Sequence, residues 1–478
     1  MQAMGRDAIQ VSRVQGPPTE VKWKALADLG DTAPARVLLP EDVGFAEATR
    51  PWNGMVNHVP AVAVQPESAE AIARVVRFAR ERDLLLSIRG AGHNIAGTSL
   101  APGAVTIDMS RMRSVTVAPN LRVADVEPGC LLGDVDAATQ EHGLATVLGF
   151  VSETGVAGLT LGGGWGYLTR RFGWTVDNLE EVEVVTADGD LVTANATTHQ
   201  DLFWAVRGGG GNFGVVTRFR YRLHPVGPRV VAGLTAWSAD RAPEIVRAYR
   251  EITRAAPREL TLAVVIRRAP PAPFVPPAWH GEKIVAIVAC YSGTDPDRDL
   301  ASLRRLADPV LSTVGDMPYT ALQSMLNAIE PKGPHRYWKT EFLPDLADGF
   351  LDAFVEGGLG LPNPISQSVL FHLGGALNER SPDDGAVGNR DAHYIAGFSG
   401  TWPPEADPGP HIAWVREAWE TIRPFSTGGN YVNFQTGDDD ASRLEAAYGD
   451  NFERLRRVKA RYDPDNFFRV NRNIPPSA

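Results

Sequence analysis

The sequence predicts an α+β protein, and three observations predict it. A strand–helix–strand unit between residues 61 and 88 runs into a glycine loop. Residues 227–424 change character, with proline-spaced strand-like runs and helices between them, which reads as an antiparallel sheet covered by helices. The tail, Asn451 to Asn473, returns to a helix stopped by Pro464.

In chain order, the first fifty residues carry weak periodicity and several prolines, so they are expected to wrap a surface. Ala61–Val64 reads as a strand ended by Pro66. Ser68 is a plausible N-cap for a helix in which Ile72, Val75, Val76 and Ala79 share one face. Leu84–Ile88 is the next strand. Further strands are expected over Ala104–Asp108 and Val123–Glu127, and a helix from Leu131 to about His142 is closed by Gly143. In the inserted stretch the strand-like runs are Leu260–Ile266, Ile284–Tyr291 and Ser368–His372, and the helical ones Asp299–Leu306 and Asp345–Phe354.

Composition narrows the class. Forty-seven Lys and Arg against 57 Asp and Glu give a net charge of −10, which argues against nucleic acid or an anionic membrane surface as partner. No run of 18 apolar residues occurs, and Met1–Asp7 lacks an apolar signal core, so a soluble cytoplasmic chain is expected. Two cysteines, Cys130 and Cys290, make no disulfide framework. Gly-x-Ser-x-Gly and His-Glu-x-x-His are both absent, which removes the usual serine-hydrolase and zinc readings; no metal is expected.

Three glycine clusters carry the chemistry. Arg89–Gly97 places His93 in a loop whose glycines permit positive φ and leave no Cβ between backbone and ligand. Thr154–Gly166 holds six glycines between apolar Val156, Leu159, Leu161 and Trp165; it is expected to lie flat on a planar group rather than form an ordinary helix. Gly208–Gly214 contains Gly-x-Gly-x-x-Gly, but a helix precedes it and a strand, Val215–Leu223, follows, the reverse of a nicotinamide Rossmann turn.

These clusters, with Asp177-Asn178, Asp201–Trp204 and Tyr462–Phe468, resemble the berberine bridge enzyme-like FAD-linked oxidases of the vanillyl-alcohol oxidase type. The resemblance implies a bipartite FAD domain, residues 1–226 and 425–478, around a substrate domain at 227–424. It implies an FAD bonded covalently through His93, since a neutral imidazole is a nucleophile for the flavin methyl. Arg89, Gly90, Ala91, Gly92, Asn94, Gly97, Val151, Thr154, Gly155, Gly158, Gly162, Gly163, Gly164, Asn178, Val216 and Asn433 are the expected cofactor-binding residues. Val151 stands where several relatives carry a second, cysteinyl attachment, and a valine forms no thioether. Cys130 is read as a small buried residue, so one link is expected rather than two.

The implied reaction takes a hydride and a proton from an alcohol or amine carbon of a sugar, alkaloid or other secondary metabolite, with O2 as reoxidant yielding H2O2. Thr154 occupies the place that influences oxygen access in relatives; a dehydrogenase with poor O2 reactivity, or a non-redox flavoprotein, stays as the alternative. Tyr431, in Tyr431-Val432-Asn433, matches the family's tyrosine near the flavin. With an ordinary pKa of about 10, it needs a cation or hydrogen-bond donor nearby to serve as base; Lys339 and His372 are the candidate neighbours. Trp165, Tyr337, Tyr394 and Trp402 are the expected substrate walls, suited to a ring-bearing molecule or sugar face. Partners are a small molecule and O2, in a monomer or homodimer.

Overall fold

The computed structural model describes residues 7–31 and 34–478; all of the start weighed above except Asp7 lies outside the described residues. A hairpin, β1 (Ala8–Val11) and β2 (Thr19–Lys22), leads through helix α1 (Trp23–Asp31) to β3 (Ala35–Leu38). With β4 (Val62–Pro66), β5 (Leu86–Arg89) and β6 (Val105–Asp108) it forms a four-stranded sheet in the order β3-β4-β6-β5. The first fifty residues therefore help found a core rather than only wrap one: Ile9, Val11, Val21, Leu26 and Leu29 pack with β4–β6. Their short strands hid this, because four residues leave too little alternation to read.

Helix α2 (Ala69–Glu81) forms as its pattern demands. The Ser68 hydroxyl accepts from Ala71 N–H at 3.2 Å, and Ile72, Val75, Val76 and Ala79 are buried. A second sheet of β7 (Val115–Ala118), β8 (Val123–Val126), β9 (Leu179–Val185), β10 (Leu191–Asn195) and β11 (Val215–Arg222) runs antiparallel in the order β10-β9-β11-β8-β7. Helix α3 (Leu132–Gln140) follows β8. One expectation is corrected here: Val156–Leu161 forms a short helix, α4, despite Gly158, and the chain leaves helical geometry from Gly162 on, Gly163 and Gly164 with positive φ.

Residues 229–402 build an eight-stranded antiparallel sheet on β12 (Arg229–Ser238), β13 (Leu260–Arg268), β14 (Lys283–Tyr291), β15 (His335–Leu343), β16 (Gln367–His372) and β17 (Tyr394–Trp402), with order β12-β14-β13-β16-β17-β15 and two short strands beside β12. Helices α5 (Ala242–Ala255), α6 (Asp348–Leu359) and α7 (Pro408–Ile422) cover one face. The helix expected over Asp299–Leu306 is instead two single turns, Pro296–Asp299 and Ala301–Arg304, broken at Leu300. Near the end, α8 (Phe452–Tyr462) packs into the core of the second sheet: Leu455, Val458 and Ile474 lie with Phe203, Phe213 and Phe219.

Candidate active site

The uncovered face of the large sheet and the three glycine loops enclose a cavity of about 450 Å³. Antiparallel register arranges the sheet's contribution in rows. Val288, Ala263 and Phe371 lie side by side, then Ala286, Val265, Val369, Gly397 and Thr340, then Ile284, Arg267, Gln367, Ser399 and Trp338. Residues between them in sequence, such as Leu262, Val264, Ile287 and Leu370, face the helices.

The first glycine loop forms one wall: Gly90, Ala91, Gly92, His93 and Asn94 all line the cavity. The His93 ring stacks on Trp52, centroids 4.2 Å apart and planes 18° from parallel. The Arg336 guanidinium lies 3.8 Å over the other ring system of that stack, and Trp52 Nε1 donates to Glu330 O at 3.0 Å. Burial, then the charges of Arg336 and Lys332, push the imidazole's pKa down to about 3. His93 is thus a neutral ring at any ordinary pH, and among the described residues its Nε2 has no hydrogen-bond partner. Arg89 and Gly97 stand behind the loop. Arg89 pairs with buried Asp108 at 2.7 Å and donates to Arg50 O, while Gly97, at φ +75, lies against Val56.

The second loop supplies Val151, Thr154, Gly155, Gly158 and Gly162. A Cβ on Gly158 would meet no atom within 4 Å, so bare backbone faces open space there. Gly163 and Gly164 take positive φ, +111° and +72°, which turns the Gly164 N–H onto the Tyr431 hydroxyl at 3.1 Å. Asn433 Nδ2 donates to the same oxygen at 3.0 Å and to Gly158 O at 3.0 Å; the carbonyl partner fixes which end of the amide carries the hydrogens. Tyr431 is 5% exposed, T-shaped to Trp165 and stacked on Trp174. Burial pushes its phenol up to about 12, against the pull of the two donors.

The donors around Tyr431 therefore differ from those expected. Lys339 points to the helix side, 2.7 Å from Asp439 and 3.2 Å from Asp438. His372 Nε2 meets Arg170 Nη1 at 2.6 Å on that same side. Tyr337 donates to Asp438 and accepts from Arg416; Tyr394 stacks on His372; Trp402 stacks on His411. None of these five lines the cavity. The wall shifts by one residue along each strand, to Trp338, Thr340 and Phe371, because successive strand residues face opposite sides. Trp165 does line it. Asn178 also lies outside: its amide ties Phe172 O and Trp174 O, and its carbonyl oxygen sits 2.6 Å from His224 Nε2.

The third loop adds Gly210, Gly211, Asn212 and Val216, and the tail adds Asn471 and Arg472. Gly211, like Gly158, would direct a Cβ into open space. Trp52, Glu330, Arg267 and Arg472 carried no sequence signal; they reach the cavity only through the tertiary fold. Cys130 stays away from it, its thiol donating to Ser114 O and pushed up to about 12 by burial.

The site is thus a cavity floored by bare glycine backbone, with a neutral imidazole, unpartnered among the described residues, on one wall. An FAD binding domain model matches residues 60–195, and a model described as berberine and berberine-like matches residues 430–475. Over these two stretches the chain is similar to the berberine bridge enzyme-like FAD-linked oxidoreductases. It is 29% identical to an FAD-linked oxidoreductase of Dictyostelium discoideum, over 89% of this chain and 91% of that one. It is also 29% identical to (R)-6-hydroxynicotine oxidase of Paenarthrobacter nicotinovorans, over 92% and 96%. The fold matches that of BBE-like 1 of Physcomitrella patens with a TM-score of 0.84 at 22% identity, covering 95% and 99% of the two chains.

The residues fit an FAD. Gly158 and Gly211 leave backbone open to a flat ligand, the loops present N–H groups, and His93 Nε2 lacks a partner.

Proposed function

We propose that this oxidoreductase acts on an alcohol or amine carbon of a small ring-bearing molecule held between Tyr431 and the bare face of the large sheet. The nicotine-derived substrate in one relative's name, and the aromatic lining of Trp165, Phe371, Phe434 and Trp338, support that class. FAD, when bound, supplies the acceptor for the hydride and passes the electrons to O2, giving H2O2. His93 tethers it: an imidazole held neutral, stacked and unpartnered is set up as a nucleophile rather than as an acid.

The carrying observation is the pair of donors on Tyr431. The Gly164 N–H and the Asn433 amide occupy two positions on the phenolic oxygen, so its own O–H is directed elsewhere. Both donors stabilise the phenolate once it forms. Once its own proton has passed to solvent, the Tyr431 phenolate receives the substrate's O–H or N–H proton, and Trp165 and Trp174 fix the plane of its ring. Thr154, beside the cofactor loop, shapes the approach of oxygen.

Mixing the yellow protein anaerobically with candidate alcohols and amines tests the reaction. Bleaching of the flavin followed by recovery in air is expected; a flavin that no substrate bleaches would overturn the reading. Tryptic mass spectrometry should find the FAD mass on the His93 peptide.

A further inference from the structure

The third row of the sheet carries an unexplained concentration of donors. Arg267, Gln367, Ser399 and Trp338 stand side by side on four neighbouring strands, spanning roughly 14 Å at the usual strand spacing. Ser399 is 5% exposed, and among the described residues its Oγ has no hydrogen-bond partner. The Trp338 indole Nε1 lacks one as well. Arg267 donates from Nε to Arg268 O and from Nη1 to Gln367 Oε1 at 3.3 Å; among the described residues its Nη2 donates to nothing. The acceptor nearby is already engaged: Glu330 takes a bond from Gln367 Nε2 at 3.0 Å and lies 3.6 Å from Arg336 Nε.

We propose that the outer part of this row, at Arg267 and Ser399, is a carboxylate-binding subsite, so that the substrate is an alcohol or amine bearing a ring and, at the end away from Tyr431, a carboxylate. Trp338 and Arg267 can only donate, and Ser399 can donate, so the complementary group is an acceptor. Glu330 pairs with Arg336, whereas Arg267, on the cavity wall, has no ion-pair partner among the described residues, which leaves its charge for an anion to neutralise. The other two rows of the sheet carry no charge and, Thr340 apart, are apolar, from Val265 and Val369 to Phe371, so the charge is placed on one end of the ligand. Trp338 marks the inner end of the row: it packs against Phe434, which packs against Tyr431, and against Trp52 beside His93. Arg267, three strands away, marks the outer end.

This rests on the oxidation reading only for which end of the ligand reacts, and the test separates the two. The FAD-loaded protein is titrated anaerobically with 3-phenylpropanoate and with its uncharged match, 3-phenylpropanamide, following the flavin absorbance. The carboxylate is expected to bind about tenfold tighter or better, and Arg267→Gln to bring the two ligands level. Ser399→Ala, which removes one buried hydroxyl and no charge, is expected to weaken the carboxylate severalfold and leave the amide unchanged. That arm stands if Arg267→Gln fails to fold. Equal affinities in the wild-type protein, or a preference that survives both substitutions, would overturn the subsite. A protein that prefers the carboxylate, yet is bleached by no carboxylate-bearing alcohol or amine, keeps the subsite and loses the proposed reaction.

Discussion

Tyr431 and Asp136 are both buried acids, pushed the same way by the same cause and with opposite uses. Tyr431 is protonated at neutral pH because burial lifts it to about 12. If it receives the substrate proton, the rate of flavin reduction should rise about tenfold per pH unit from about pH 7 to pH 10, following the phenolate fraction. Tyr431→Phe should slow that step about a hundredfold or more and abolish the slope. Stopped-flow reduction across pH reads both, and a flat wild-type profile would remove Tyr431 as base. Asp136 lies far from this chemistry, held by Gln323 Nε2 at 2.9 Å and raised by burial to about 7. The folded chain keeps its proton up to about pH 7, whereas the unfolded chain releases it near pH 4. Folding thus binds a proton, so this group's contribution falls as pH rises through that window, by about 1.4 kcal/mol per unit. Asp136→Asn should flatten the decline in urea midpoint between about pH 4 and pH 7.

At the scale of elements, one-residue parity decides which side chains meet a ligand. Lys339 and Trp338 are neighbours on β15 with opposite fates. Lys339 is 6% exposed and bonded to an Asp439 that is 4% exposed. Breaking a buried pair by removing one partner costs about 3–5 kcal/mol. Lys339→Met is therefore expected to lower the urea midpoint strongly while leaving the dissociation constants of cavity ligands unchanged; altered ligand binding with normal stability would contradict the assignment. Parity was not legible in the sequence, because β15 and β17 are buried on both faces and show no apolar–polar alternation. The loops were legible, since their signal is local: glycine spacing, a histidine between glycines, and Tyr431 two residues before Asn433. The same locality explains what was missed. Arg267, Glu330 and Trp52 are far apart in the chain, and only the fold gathers them.

For the whole molecule, the tail acts as a clasp. Lys459, fully buried, donates to Asn212 O, Asp463 Oδ2 and Phe468 O, joining α8 to the third glycine loop and to the segment ahead of Asn471 and Arg472. Asp463 in turn accepts the backbone N–H groups of Phe467 and Phe468. Lys459→Met leaves a buried carboxylate uncompensated, and it should cost several kcal/mol and reduce flavin content together. Flavin-to-protein ratio and melting temperature measured on the same sample check this; full flavin loading at a lowered melting temperature would show that the clasp and the site are independent.

That clasp also completes the cavity. The walls of the cavity are drawn from Trp52 at one extreme of the polypeptide to Arg472 at the other. The container is therefore whole only when the segment around Lys459 has docked on the third glycine loop.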